Sequence, residues 1–468
     1  MGIRLLLLLF ILTLSDLSAQ TVSDSLNLQA SHIRQIIITG NKRTKEAIVR
    51  RELTFTEGDT LPSYVLEEAS ARSRQNLINT GLFNFAEITF FRGQGLETVV
   101  HIDLTERWYL WPSPIFEISD RNFNEWLVRK DFSRTNYGLV VRQENLSGND
   151  DILQAQGIFG YTNRFGLAYS RPFINKRMDL GLTVGFAYSK QAETSYNTTG
   201  NKLDFIRLDD TPARTERTAF VRLVRRKGLY QYFTTTADYR RTDVNDTVIR
   251  LNPTYLWRDE TRQQYFGLTW SYRFDNRDYQ PYALEGRVFE IEVNKTGIGL
   301  FKNEPNLLMI SAGLRVYGQF AKRWYAAAAI KGRLTQQESS PFTNRKALGY
   351  GGDYIRGYDL YVINGQNLVL LRSAVRYNLL RRRVYQLPYL NSNKFKKIPI
   401  TIHITGFLDA GKVDDPLAGA RNPLSNSWQY GTGISLDLIS YYDVVMRVEA
   451  AVNRQGERGL FLRFGAPF

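Results

Sequence analysis

The sequence predicts a mainly β fold: a 16-stranded antiparallel transmembrane β-barrel preceded by one small α+β domain. Three observations support this prediction. After residue 107 the helical periodicity ends, and segments of alternating apolar and polar residues follow one another with turn residues between them. Aromatic residues make up 13% of the chain, which suits the aromatic girdles at the two surfaces of a membrane barrel. Residues 33–107, by contrast, show the order β-α-α-β-β.

The N-terminus has the pattern of an export signal. In residues 1–20, MGIRLLLLLFILTLSDLSAQ, one arginine precedes a run of apolar residues, and small residues follow the run. This pattern predicts a secretory signal peptide. A membrane anchor is the alternative, but the apolar run is too short to span a bilayer as a helix. Residues 21–32 are then a short polar leader. The chain contains no cysteine, so an exported fold cannot rely on disulfides.

Residues 33–107 form the predicted α+β domain. IRQIIITGN reads as a strand, and Thr44 is placed to cap a short helix over KEAIVRREL. Pro62 is predicted to begin a second helix that Gly81 ends, and FAEITFF and LETVVHIDLTER follow as strands. This order, with TGLF at 80–83, resembles a POTRA domain. The resemblance implies a periplasmic module that binds client chains by adding an extended strand to a sheet edge. A domain that only spaces the barrel from the cell wall is the alternative.

Residues 108–468 form the predicted barrel. Its sixteen strands are predicted near 108–120, 136–146, 151–161, 164–171, 178–190, 215–226, 229–241, 263–274, 285–297, 307–320, 324–335, 367–379, 398–412, 428–439, 443–453 and 458–468. With the α+β domain in the periplasm, the connections that follow odd-numbered strands lie outside the cell. These include the long ones at 191–214, 242–262 and 336–366, and the opposite turns are mostly short, as in membrane barrels. A soluble β-sandwich is the alternative.

The last strand, GLFLRFGAPF, has two distinct faces. Phe464 and Phe468 belong to an apolar face that suits lipid, whereas Arg463 belongs to the opposite face and is predicted to point into the lumen. A strand of this kind that ends in phenylalanine resembles the insertion signal of outer-membrane barrels.

The first barrel strand carries Pro112 and Pro114, which predict a weak seam. Residues two apart direct their N–H groups to the same neighbour, so both prolines remove donors from one edge. Because the second strand must stay paired, the missing donors are predicted to face the last strand. Pro467 in that strand also lacks a donor. The alternative is that pairing begins only after Pro114.

The segment GYGGDYIRGYD at 349–359 is crowded with glycine and tyrosine around one arginine. Together with the terminal strand, five segments resemble, in order, the motifs of the BamA/TamA superfamily of outer-membrane barrels with POTRA domains, which insert or translocate other proteins. These segments are ENLSGND (144–150), YSRPFI (169–174), FDNRDYQPYALEGRVF (274–289), GGDYIRGYD (351–359) and FLDAG (407–411).

The resemblance implies that the loop motif Ile355, Arg356, Gly357 and Tyr358 folds back into the barrel, where the arginine meets acids on the inner wall. The residues support one such acid independently. In the strand near 398–412, isoleucines alternate on a face that suits lipid, so Asp409 faces the lumen. A buried guanidinium needs an acceptor and can bind a carboxylate with two hydrogen bonds.

One position departs from the superfamily pattern. A glutamate is usual on the twelfth strand, but this chain has Ala374 there, with Arg376 two residues later. The resemblance therefore implies one acid beside Arg356 instead of two.

Charge and composition restrict the partners. The net charge is +15, which behind a signal peptide favours anionic lipid headgroups over nucleic acid. The basic stretch RRRVYQLPYLNSNKFKKIP at 381–399 is predicted to face the periplasm and to rest on lipid phosphates or an acidic partner, with a solvated turn as the alternative. Three histidines without metal-ligand spacing predict no catalytic site, no metal and no cofactor.

These observations predict a bacterial outer-membrane protein with its POTRA domain in the periplasm. Its predicted function is assembly, insertion or translocation, in which the POTRA edge captures client strands and passes them to a lateral barrel seam. The predicted partners are client outer-membrane or secreted polypeptides, lipid and lipopolysaccharide, and periplasmic or lipoprotein accessory subunits. The alternative is a passive structural or porin-like transport barrel, which would have a uniformly paired wall and no plugging loop.

Overall fold

The computed structural model describes residues 30–93, 95–118, 135–336, 340–386, 389, 396–419 and 421–465. The predicted signal peptide, most of the predicted leader, Pro467 and Phe468 lie outside these residues. No helix in the part of the chain that the structure describes is long and apolar enough to cross a membrane.

The N-terminal region folds around a four-stranded sheet. Its elements are β1 (Ala30–Thr39), α1 (Glu46–Arg51), β2 (Thr60–Pro62), α2 (Ser63–Asn79), β3 (Phe83–Arg92) and β4 (Glu97–Glu106). The strand order is β2-β1-β4-β3, with β1 parallel to β4 and with β3 at one edge. Apolar side chains of the helices and of the inner sheet face form one core, which includes Ile33, Val49, Leu77 and Ile102. The short strand β2 is an addition to the predicted order.

Thr44 does not have the predicted capping role. The N-cap of α1 is Lys45, whose side chain makes no capping bond. Thr44 instead donates its hydroxyl to Glu106 Oε1 at 2.7 Å and contacts the Tyr109 hydroxyl at 3.1 Å. Burial raises the pKa of Tyr109, so its hydroxyl stays a neutral donor, and it donates to the carbonyl oxygen of Leu82. The buried Glu106 carboxylate needs donors, whereas a solvated helix end can be satisfied by water.

The 16-stranded antiparallel sheet is confirmed, and each predicted barrel strand is present. The strands are β5 (Leu110–Ile118), β6 (Thr135–Gln143), β7 (Ile152–Gly160), β8 (Thr162–Arg171), β9 (Leu180–Gln191), β12 (Arg214–Lys227), β13 (Gln231–Val244), β14 (Arg262–Asp275), β15 (Gly286–Thr296), β16 (Leu307–Ala321), β17 (Trp324–Thr335), β20 (Asn367–Gln386), β21 (Lys397–Asp414), β22 (Gln429–Ile439), β23 (Val445–Asn453) and β24 (Arg458–Phe464). The long connections add two hairpins and one helix: β10 (Glu193–Thr199) with β11 (Lys202–Arg207), α3 (Asp246–Leu251), and β18 (Lys346–Leu348) with β19 (Ile363–Asn364).

Side chains along the barrel strands alternate between two environments. In β24, Leu460 and Phe464 are each 71% exposed on the outer face, whereas Arg463 is directed inward to acidic partners. In β21, Leu408 is exposed, whereas Asp409 is fully buried. A period of two residues therefore separates an apolar outer wall from a polar interior, as expected for a membrane barrel.

Strands β20 and β21 extend beyond their neighbours. Pairing of β20 with β17 ends at Tyr377, and pairing of β21 with β22 ends at Thr401. Residues 380–386 and 397–402 continue to pair with each other, with register shifts. The stretch that was predicted as a basic turn is therefore partly a projecting hairpin, on the side of the barrel where the N-terminal region lies.

Candidate functional site: the lumenal loop and the barrel seam

The segment 349–359 lies against the inner wall of the barrel. Arg356 is 1% exposed, and Asp409 on β21 is 0% exposed. Arg356 Nε donates to Asp409 Oδ2 at 2.7 Å, and Arg356 Nη2 donates to Asp409 Oδ1 at 2.5 Å. The backbone N–H of Arg356 donates to the same carboxylate at 3.1 Å. Three charge-assisted hydrogen bonds thus hold this loop residue to the wall, and the two opposite charges compensate each other.

Other groups surround the guanidinium. Arg356 Cζ lies 3.9 Å from the centre of the Phe407 ring, within the range of a cation–π contact. Arg356 Nη2 also donates to the carbonyl oxygen of Ser373 at 3.2 Å. Ala374 is buried in an apolar cluster with Phe407 and Phe461. The position where the superfamily usually has a glutamate therefore packs against the ring that covers the arginine.

Glycines allow the close approach of loop and wall. A Cβ atom at Gly431 on β22 would lie 1.9 Å from the carbonyl oxygen of Arg356, so only glycine fits there. Gly357 has a φ of +91°, a conformation that side chains disfavour. Its carbonyl oxygen accepts a hydrogen bond from Asn453 Nδ2 at 3.2 Å. The sequence motif therefore supplies both a charge and the backbone freedom to place it.

The two large residues of the motif anchor it at either end. Ile355 and Tyr358 are buried in a cluster that also contains Leu348 of β18 and Leu370 of β20. The Tyr358 hydroxyl donates to Gln429 Oε1 at 2.9 Å. All four residues of the predicted motif thus contact the inner face of the barrel or its immediate neighbours.

A second ion network lies beside the first. Arg463 Nη2 donates to Asp359 Oδ1 at 2.6 Å, and Arg463 Nε donates to Glu449 Oε2 at 2.8 Å. Arg447 Nη1 donates to Glu449 Oε1 at 2.7 Å. Arg463 Cζ lies 4.0 Å from the centre of the Tyr354 ring. Of these residues, only Arg463 is predicted from the sequence to face the lumen, although the spacing of Arg447 and Glu449 on β23 also indicates a shared face.

Two arginines of β20 bind different parts of the interior. Arg372 Nη2 donates to the carbonyl oxygen of Tyr354 in the loop at 2.7 Å. Arg376 Nη1 donates to the carbonyl oxygen of Ala283 at 2.5 Å, and its Cζ lies 4.6 Å from the centre of the Tyr282 ring. Arg376, two residues after Ala374, therefore binds the turn that follows β14.

The backbone nitrogens of the two prolines in β5 point away from β6. Glu144 donates its N–H to the carbonyl oxygen of Tyr109 at 2.7 Å, and Pro112 lies opposite Val141 in the same register. In an antiparallel ladder, hydrogen-bonded pairs alternate with non-bonded pairs, so the odd-numbered residues of β5 bond to β6. Pro112 and Pro114 are even-numbered, and their donor-free nitrogens point to the opposite edge.

That opposite edge is one end of the sheet. Strands β5 and β24 are the two terminal strands, and across the described residues no ladder joins them. Gly465 donates its N–H to the carbonyl oxygen of Val445 at 2.8 Å, so the odd-numbered residues of β24 bond to β23 and the even-numbered ones face the seam. Trp111 of β5 packs edge-on against Tyr442 with ring centres 4.9 Å apart. The predicted contribution of Pro467 stays a prediction.

Residues 31–107 match the POTRA family, whose model is described as surface antigen variable number repeat. This segment is a POTRA domain. A stretch of 76 residues is 36% identical to the outer membrane protein assembly factor BamA of Neorickettsia risticii. The match covers 16% of this chain and 10% of that relative, so the chain spans about a tenth of the relative's length.

Two solved structures share the fold over most of the chain. BamA from Haemophilus ducreyi, lacking POTRA domains 1–3, has a TM-score of 0.51 at 15% identity, covering 93% of this chain and 83% of that chain. CdiB from Escherichia coli has a TM-score of 0.54 at 13% identity, covering 94% of this chain and 76% of that chain. At these identities the likeness concerns the fold. Together with the POTRA domain and the BamA relative, it supports the BamA/TamA-type superfamily of assembly and translocation barrels.

The POTRA domain and the BamA relative also indicate the location: an outer-membrane barrel whose POTRA domain lies in the periplasm. The POTRA domain is docked on the periplasmic turns. Arg226, at the end of β12, binds both carboxylate oxygens of Glu52, with Nη2 2.7 Å from Oε2. Arg107 Nη1 donates to Asp443 Oδ2 at 2.7 Å. These ion pairs lie on different sides of the barrel mouth and together orient the domain.

Reversing the charge of Arg226 is expected to weaken this docking strongly. In Arg226→Glu the buried Glu52 would lose its partner and face a second carboxylate, and breaking a buried pair costs about 3–5 kcal/mol. Urea unfolding of the purified chain, followed by limited proteolysis of the POTRA domain, measures the effect. Arg34→Glu is the matched control, because the Arg34–Glu97 pair is 67% and 48% exposed and is expected to contribute at most about 1 kcal/mol. Equal effects of the two reversals would contradict the docking role of the buried pair.

Proposed function

We propose that the protein assembles, inserts or translocates other polypeptides at the outer membrane. In this proposal the POTRA edge captures an extended client strand, and the strand passes to the seam between β5 and β24. The observation that carries the proposal is the seam itself. Two prolines remove donors from the edge of β5 that faces away from β6, and no ladder among the described residues joins β5 to β24. Such an edge offers unpaired backbone groups to an incoming strand.

The interior supports the same proposal over a passive pore. The loop that carries Arg356 is fixed to the inner wall by the Asp409 ion pair, and Arg463 binds Asp359 of the same loop. These ion pairs fix the loop inside the lumen, in the space that a transport channel would fill with water. A porin-like role would be better served by an open lumen and a wall paired at every strand.

The POTRA domain offers a suitable edge for strand capture. Gly93 donates its N–H to the carbonyl oxygen of Glu97, and the register from Phe85 to Arg92 continues this pairing with β4. The odd-numbered residues of β3 therefore bond to β4, and the even-numbered ones, including Ala86, direct their backbone groups to the free edge. An extended client segment can add to this edge by backbone hydrogen bonds.

The proposed partners follow from the surfaces. Client outer-membrane or secreted polypeptides bind the POTRA edge and the seam, and lipid or lipopolysaccharide contacts the apolar outer wall. The basic hairpin of β20 and β21 has two proposed contacts. Lys397 Nζ lies 5.5 Å from the centre of the Phe85 ring of the POTRA domain, whereas Arg381 and Arg383 are exposed and available to lipid phosphates or an acidic accessory subunit.

Depletion of the protein in its native cell tests the proposal. We expect the outer-membrane and secreted proteomes to lose specific members, and complementation with the unaltered gene to restore them. A proteome that stays unchanged while the uptake of small solutes falls would favour the passive barrel and overturn the proposal.

A further inference from the structure

A cavity of about 630 Å³ lies between the POTRA domain and the periplasmic mouth of the barrel. We call it the junction cavity. Its walls are formed by α2 and the start of β3 on the POTRA side, and by the periplasmic ends of β20 and β21 with the turns after β14 and β22 on the barrel side. Its volume is within the range of about 300–1,000 Å³ that is usual for ligand sites.

The free edge of β3 and the projecting end of the β20–β21 hairpin border the junction cavity. On the POTRA side, the backbone groups of Ala86 face the free edge of β3. On the barrel side, the cavity is lined by Val384 and Pro399, which lie in the projecting part of the β20–β21 hairpin, where pairing with β17 and β22 has ended. An extended polypeptide is the ligand that offers backbone donors and acceptors at the spacing of the β3 edge.

Buried polar groups without partners also line the cavity. His403 on β21 is 1% exposed, and within the described residues neither of its ring nitrogens has a hydrogen-bond partner. The same holds for Asn378 Oδ1. Both residues line the junction cavity. Buried polar groups are normally hydrogen-bonded, so this cluster indicates a polar occupant that supplies both donors and acceptors.

The charges of the cavity favour a carboxylate on that occupant. Arg74 of α2 and Arg382 of β20 line it, one from the POTRA side and one from the barrel side. The lining acids are Glu87, Asp278 and Asp443; Asp443 is engaged by Arg107, and Asp278 accepts two backbone N–H groups in its own turn. An anion in the cavity would have a guanidinium group on each wall, and guanidinium groups bind carboxylates with paired hydrogen bonds.

We propose that the junction cavity binds an extended polypeptide segment by its backbone and holds a carboxylate of that segment between Arg74 and Arg382. This inference rests on the proposed function, because it makes the cavity the site where a client segment is held before it reaches the seam. His403 and Asn378 then bind polar groups of the segment at the inner end of the site.

The test uses the full chain in nanodiscs and a fluorescent peptide of sequence GLFLRFGAPF, which alternates like a barrel strand, in free-acid and amidated forms. We expect the free acid to bind about tenfold more tightly than the amide, as one charge-assisted hydrogen bond implies. The double variant Arg74→Gln with Arg382→Gln should remove this difference. Arg34→Gln, which removes an exposed positive charge elsewhere on the POTRA domain, should preserve it.

A second variant tests the backbone contact. Ala86→Pro removes the N–H that faces the free edge and leaves the β4 ladder intact, so we expect weaker binding of both peptide forms. Photo-cross-linking of the bound peptide should label β3 or the β20–β21 hairpin. Absence of binding, a preference for the free acid over the amide that survives in the double arginine variant, or cross-links confined to β5 and β24 would overturn the inference. The last result would leave the proposed function standing, whereas an unchanged proteome on depletion would remove that function without affecting peptide binding.

Discussion

Replacing Arg356 with alanine is expected to release the lumenal loop and to abolish most of the activity. The substitution leaves the fully buried Asp409 carboxylate without its guanidinium partner, and such a loss costs about 3–5 kcal/mol. Arg356→Lys should be intermediate, because an ammonium keeps the charge but cannot reproduce the two-pronged contact. Urea unfolding in detergent measures the change in the free energy of unfolding, and complementation of a depleted strain measures the function.

Two companion variants separate charge from position. The double variant Arg356→Ala with Asp409→Ala should recover part of the stability lost in Arg356→Ala, because it no longer buries a lone charge. Gly431→Ala leaves both charges in place but inserts a methyl group where the carbonyl oxygen of Arg356 lies, so we expect it to displace the loop and lower activity. Lys331→Gln, at a partly exposed pair with Asp353, is the control with a small effect. Full activity of Arg356→Ala would refute a role for the anchored loop.

Restoring the missing donors of β5 should have the second large effect. Pro112→Ala with Pro114→Ala adds two N–H groups that face the seam. If each new bond contributes about 1 kcal/mol, the opening equilibrium of the seam shifts by roughly thirtyfold toward the closed form. Activity should fall, and deuterium exchange of the backbone amides in β24 should slow. Both readouts can be obtained from the same membrane preparation.

A matched change on the other edge of the strand gives the control. Ser113 is odd-numbered, so its N–H faces β6, and Ser113→Pro removes a bond inside the ladder. We expect this variant to lower the thermal stability of the barrel without slowing exchange in β24. Unchanged exchange in the Pro112→Ala, Pro114→Ala variant would show that the prolines do not weaken the seam.

The barrel could be predicted because its signal is local. A period of two residues identifies each strand and its lumenal face without knowledge of any partner, so Asp409 and Arg463 could be assigned to the interior from the sequence. The length of the β20–β21 hairpin could not be predicted in the same way. Three consecutive arginines at 381–383 interrupt the alternation, so the sequence pattern of a strand ends there. In the structure the two strands still pair with each other beyond this point.

The contacts that could not be predicted join residues that are far apart in the sequence. Thr44 is a residue type that commonly caps helices, but its hydroxyl binds Glu106, which is 62 positions away in the sequence. The network of Arg447, Glu449 and Arg463 with Asp359 needs two strands and a loop at the same height along the barrel axis. Alternation determines which face a side chain occupies, but not its height. The pairing of Arg356 with Asp409 therefore required the superfamily resemblance, which implies that the loop folds into the barrel, and the argument that a buried arginine needs an acid.

The short connection between the POTRA domain and the barrel has a mechanical consequence. Strand β4 ends at Glu106 and β5 begins at Leu110, so only three residues separate the domain from the strand at the seam. Arg107, the first of them, is held by Asp443 beside the same end of the barrel. In the proposed function, a tilt of the domain under a bound client would be transmitted through these three residues to β5. The domain would then act as a lever on the strand from which Pro112 and Pro114 remove two backbone donors.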